Sequence, residues 1–217
     1  MMKNVCTVSS LLVVIVTVFG MTAPALSAVT YPLQLQNPTS PPFTTNNPVD
    51  SSRGWRFVVN APGVEVVQLG VNSPLSSSVS QTVTLFDVGT QGVLAQVTTT
   101  PGPGWLFVDL ATPVALTEGS QYIVSAFFPS PGGYYYGDRA TVGDSWFPTG
   151  TIQYLDMRYA NSTTPSTFPT LVLSNYQYGI PDIGYQVAGA VIPAPGALLL
   201  AGIGAGLVGL LRRRKTV

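Results

Sequence analysis

The sequence predicts an all-β protein, a single β-sandwich of jelly-roll or Ig-like type. Three observations predict it. Nine short runs of alternating or β-branched residues recur from Trp55 onward, at roughly 8–12-residue spacing. Clusters of glycine, proline, asparagine and serine separate them. No window of the same region repeats its apolar residues with the 3.6-residue period of a helix.

In chain order, strands are expected at 54–60, 64–71, 82–87, 93–99, 104–110 and 121–128. Three more are expected at 152–159, 170–173 and 183–187. The turn signals between them include Ala61-Pro62-Gly63, Asn72-Ser73-Pro74, Gly89-Thr90-Gln91-Gly92, Pro101-Gly102-Pro103-Gly104 and Glu118-Gly119. Alternation is clearest at Trp55/Phe57/Val59 and at Leu106/Val108/Leu110, so each strand should bury one face and wet the other. A body of about 160 residues can bury near 70% of its unfolded surface, enough for a core without staples.

That matters because no staples are on offer. The only cysteine is Cys6 and there is no histidine, which excludes a disulfide framework, Ser-His-Asp or Cys-His catalysis and imidazole-held metals. A formal net charge of zero hides a division. Between residues 29 and 192 stand four arginines (Arg53, Arg56, Arg139, Arg158) against all nine acids, a charge of −5. Such a body lacks the basic stripe of a nucleic-acid binder, so no nucleic-acid partner is expected. It also lacks a polybasic patch for anionic lipid.

The two ends read as addresses. Residues 1–28 are expected to be a secretory signal peptide: Lys3, an uncharged apolar run at 11–21, then Ala23, Ala25, Ser27 and Ala28. Residues 29–50, with Pro32, Pro38, Pro41, Pro42 and Pro48, read as an extended linker, mobile unless it lies along a sheet edge. The sandwich is assigned to 51–190 and the C-terminal signal to 191–217. Within that signal, residues 196–211 carry no charge and Arg212, Arg213, Arg214 and Lys215 follow at once. As a transmembrane helix this stretch covers about 24 Å of a roughly 30 Å core. The basic cluster should hold that end in the cytoplasm. Gly202, Gly206 and Gly209 form a small-residue stripe, either a helix contact or part of a discarded signal.

Ile192-Pro193-Ala194-Pro195, the Gly/Leu-rich stretch and the terminal arginine cluster resemble the PEP-CTERM sorting signal of bacterial exported proteins. The resemblance implies an exosortase-type processing enzyme as partner, a membrane-anchored precursor, and delivery to the cell surface or extracellular matrix. The chain departs from that pattern at Ala194, where glutamate is usual. The segments GWRFVV, TVTLFDVGTQGVLAQ and VALTEGSQYIVSAFF between 54 and 128 resemble an exported β-sandwich module found ahead of such signals. That resemblance implies no established activity, and the leading expectation is a non-enzymatic surface or matrix protein.

Tyr134-Tyr135-Tyr136 is the densest aromatic group, with Trp146 ten residues beyond Tyr136. Neighbours in a strand point to opposite faces, so the three tyrosines cannot all enter a core. Tyr134, Tyr136 and Trp146, with Asp138 and Arg139, are expected to contact carbohydrate, exopolysaccharide being the candidate ligand. The alternative is that the tyrosines merely pack a loop and Asp138 pairs with Arg139. A glycosidase needs two carboxyls about 5–9.5 Å apart. Asp138/Asp144 and Asp156/Asp182 are the pairs to inspect, and hydrolysis is disfavoured. No cofactor is expected. Calcium is the one ion left open, through Asp138, Asp144 and loop carbonyls, although the D-x-D-x-D-G spacing is missing.

Overall fold

The computed structural model describes residues 28–33, 44–46, 50–73, 79–130, 134–142, 145, 147–161, 164–177 and 181–188. The signal-peptide segment 1–27 and the tail from 189 onward, including Ile192–Pro195 and Arg212–Lys215, lie outside the described residues.

The described chain is all-β. Its strands are β1 (Thr44–Asn46), β2 (Ser51–Val59), β3 (Val64–Ser73), β4 (Thr82–Asp87), β5 (Val93–Thr98) and β6 (Gly104–Ala115). Then come β7 (Gln121–Phe128), β8 (Tyr134–Asp138), β9 (Ile152–Asn161), β10 (Leu171–Leu173), β11 (Tyr176–Gln177) and β12 (Pro181–Val187). One helical turn, Arg139–Val142, follows β8. A six-stranded sheet in the order β10-β9-β2-β7-β4-β5 packs on a three-stranded sheet, β12-β3-β6. A small third sheet has the order β1-β8-β11. All strand pairs are antiparallel.

The core lies between the two larger sheets. Trp55, Phe57 and Val59 of β2, Val83 and Leu85 of β4, and Val124, Ala126 and Phe128 of β7 enter it from one side. Val64, Val66, Leu69 and Val71 of β3, with Ile183 and Tyr185 of β12, enter from the other. This is the period-2 alternation of a half-buried strand made physical. Trp55 is fully buried and its indole N–H donates to the Pro181 carbonyl at 2.7 Å. The largest core side chain thus joins the two sheets by packing and satisfies its one polar atom. Turns obey their residues: Gly63 between β2 and β3 and Gly119 between β6 and β7 both sit at positive φ, 70° and 78°.

All nine expected strands are present, with β4 and β7 at the expected bounds. Strand β2 starts earlier and β6 and β9 run longer than their patterns, because backbone pairing continues after apolar alternation stops. The expectation of a wet outer face is corrected at β6. Its register places Trp105 and Phe107 opposite Asn72 and Gly70, on the face turned from the space between the sheets, where polar residues are expected; Trp105 still packs against the buried cluster that includes Leu33.

Residues 29–33 and 44–46 of the entry segment pair with sheet strands. Thr30 exchanges both backbone hydrogen bonds with Tyr185, at 2.8 and 3.0 Å. Leu33 is buried, and its N–H donates to the Asp182 carboxylate at 3.0 Å. Thr44–Asn46 pairs with Tyr134–Tyr136. The three strands the pattern missed, TTN, YYYGD and YQ, are too short or too uniform for alternation to reveal them.

Candidate functional site

The run Tyr134–Asp138 forms the central strand of the third sheet, between β1 and β11. Its register sets Thr44 against Tyr136, Asn46 against Tyr134 and Tyr176 against Asp138. Asp138 ends the strand and starts the helical turn: its carboxylate accepts the Ala140 N–H at 2.9 Å, a cap for an otherwise unpaired donor. The Arg139 N–H donates to the Asn175 carbonyl at 3.0 Å, fastening the turn to the segment before β11.

These connections form a cleft of about 520 Å³ lined by Asp138, Arg139, Ala140, Ser174, Asn175 and Tyr176. Asp138 is exposed, Arg139 half-buried, and Tyr176 is 41% exposed. Carboxylate, guanidinium, amide, hydroxyl and phenol thus meet at one opening, a set suited to hydroxyl-rich ligands. Two of the five expected contact residues, Asp138 and Arg139, line this cleft. The backbone of Tyr134 and Tyr136 lies on the adjoining strand. Trp146 and Asp144 lie outside the described residues. Ser174, Asn175 and Tyr176 were not expected; the signal for them is the polar Ser-Asn step that ends β10, followed by a lone tyrosine.

The other carboxylates named as catalytic candidates are engaged. Asp156 lies between Arg56 and Arg158, and both arginines donate to both of its oxygens. Asp182 is fully buried and accepts the N–H groups of Leu33 and Ile183, at 3.0 and 2.9 Å. Among the described residues no group of three or more acidic, cysteine or histidine side chains is placed to hold a metal ion. Burial pushes the Tyr185 phenol above its ordinary value near 10. A hydrogen bond from Thr151 opposes that rise, and the Asp182 charge adds to it.

Among solved structures, the chain is similar to the cysteine protease and lectin-like domains of Cwp84, a surface-layer-associated protein of Clostridium difficile. The TM-score is 0.42 at 10% identity, over 64% of this chain and 33% of that one. It is also similar to the clostridial cysteine protease Cwp84 after propeptide cleavage. There the TM-score is 0.38 at 9% identity, over 66% of this chain and 37% of that one. The chain spans about a third of each of these solved chains, and likeness at this level bears on neither activity nor partners. No curated protein matches it. Residues 37–180, from the entry segment through the cleft, match a family described as a domain of unknown function, DUF4082, and the chain belongs to that family.

Proposed function

We propose that the protein is an exported, non-enzymatic component of the cell surface or extracellular matrix. Its C-terminal helix holds the precursor in the inner membrane until an exosortase-type enzyme processes it. The observation that carries this reading is the order of parts in the tail: Pro193-Ala194-Pro195, an uncharged stretch, then Arg212–Lys215. A jelly-roll-like sandwich is in keeping with it. Strands β2, β3 and β4 alternate between the two large sheets, as do β5, β6 and β7. The non-enzymatic reading draws support from the engagement of Asp156 and Asp182 in structural contacts.

The second reading, a carbohydrate-binding module associated with exopolysaccharide, is favoured by the cleft at Asp138, Arg139 and Tyr176. There Tyr134, Tyr136 and Trp146 would supply stacking surface. Fractionation of native envelopes, with mass spectrometry of the C-terminal peptide, tests the first reading. A terminus near Pro193–Pro195 outside the inner membrane is expected. A terminus at Val217 in the inner membrane overturns processing and makes the protein a permanently anchored one. Glycan binding that Tyr176→Ala abolishes supports the second reading.

A further inference from the structure

The outer face of the β12-β3-β6 sheet is built around two glycines. A Cβ on Gly70 would lie 2.3 Å from the Phe107 ring, so that ring lies across the glycine. A Cβ on Gly184 would come within 2.9 Å of Gln68 and 3.0 Å of the Tyr31 ring. Each aromatic occupies space that any other residue would fill.

Register arranges the rings. Gly184, Gln68 and Asp109 form one row across the sheet; Asp182, Gly70 and Phe107 form the next; Asn72 and Trp105 begin the third. Tyr31 lies at the first row, Phe107 at the second and Trp105 at the third. The three therefore follow the strand direction. Ring centroids are 4.4 Å apart from Tyr31 to Phe107 and 5.6 Å from Phe107 to Trp105. The last two planes are within 16° of parallel. All three residues keep part of their surface open to solvent. Polar groups are held beside the rings: the Tyr31 hydroxyl donates to Gln68, whose amide donates to exposed Asp109 at 2.6 Å.

We propose that this face binds a linear, neutral polysaccharide. Successive sugars would lie with their C–H faces on Trp105 and Phe107 and against Tyr31, while Asp109, Asn72 and Gln68 meet their hydroxyls. Charge selects the class. Arg56 and Arg158 are committed to Asp156, Arg53 is buried, Arg139 lines the separate cleft, and the body carries −5, so a polyanion is disfavoured on this face. Phe107 and Tyr31 need no induced ordering, because the glycine seats, the Thr30 pairing and the Gln68 bridge already fix them, and Trp105 stacks against Phe107. This site shares no residue with the Asp138 cleft and does not depend on it.

The test is co-sedimentation of the full-length chain, in nonionic detergent, with amorphous cellulose, curdlan and insoluble mannan, and with calcium alginate as the polyanion. Sedimentation with at least one neutral polymer is expected, and any retention on alginate through Arg212–Lys215 should be unchanged by Trp105→Ala. Trp105→Ala should weaken it by about tenfold, the effect of one lost stacking contact. Asp109→Asn should weaken it several-fold with an unchanged melting curve, and Tyr176→Ala in the cleft should leave it intact. Absence of binding to all three neutral polymers, alginate binding that Trp105→Ala weakens, or full binding to the neutral polymer by folded Trp105→Ala overturns the proposal. If Trp105→Ala does not fold, unchanged binding by Asp109→Asn overturns it equally.

Discussion

On the outer face of the six-stranded sheet, Arg56 and Arg158 close on Asp156, and Gln121 accepts a further hydrogen bond from Arg56. On the outer face of the three-stranded sheet, Tyr31 and Phe107 lie over Gly184 and Gly70, with Trp105 next in line and Asp109 beside them. Both faces cover the same core. The first spends its polar groups on one another, and its hydrogen-bonding capacity is consumed inside the protein. The second holds Tyr31 and Phe107 with backbone and glycine geometry and leaves part of each ring open to solvent. A charged cluster is thus the weaker sign of a binding face here, and an ordered aromatic row the stronger.

The largest break to this comparison is expected at Gly54. A Cβ there would lie 2.0 Å from the Val124 carbonyl oxygen, which is backbone and cannot turn aside. Gly54→Ala should cost about 3 kcal/mol or more in urea unfolding, through separation of β2 from β7. Gly70→Ala meets a ring instead, and rings rotate. It should cost about 1–3 kcal/mol and also abolish glycan sedimentation, because Phe107 loses its seat. Asp156→Ala leaves two partly buried guanidinium groups without their shared carboxylate. Its expected cost is about 1–2 kcal/mol, with glycan binding unchanged. A loss of binding in Asp156→Ala would contradict the division between the faces.

The smallest effect concerns Tyr185, a core residue of β12. Burial raises its pKa, so the folded state holds the phenolic proton more tightly than the unfolded chain does. Its contribution to stability is complete below the ordinary value near 10 and is lost as pH climbs through the folded value. Melting temperatures measured from roughly pH 8 to 11 should fall less steeply for Tyr185→Phe than for the wild type.

The sandwich was legible because a half-buried strand writes its burial into the sequence. Trp55, Phe57 and Val59 alternate with Arg56 and Val58, and all three are fully buried. The third sheet was not legible. Three tyrosines in succession have no alternation, and β1 and β11 are held by register with β8 rather than by apolar pattern. The candidate cleft was read in part: Asp138 and Arg139 stand at its mouth, but Asn175 and Tyr176 reach it only through the β8–β11 pairing. The aromatic row was hidden for a related reason. Tyr31 and Phe107 are far apart in sequence, and Gly70 and Gly184 show no purpose until strand order places rings over them.

Hydroxyl-radical footprinting of the full-length chain, with and without a soluble oligosaccharide of the neutral polymer that sediments it, compares the two faces in one experiment. Reduced oxidation is expected at Tyr31, Phe107 and Trp105, with Phe127 of β7, which shares the outer face with Gly54 and Arg56, unchanged. Protection at Phe127, or unaltered oxidation of all three rings under saturating oligosaccharide, would contradict the division between the faces.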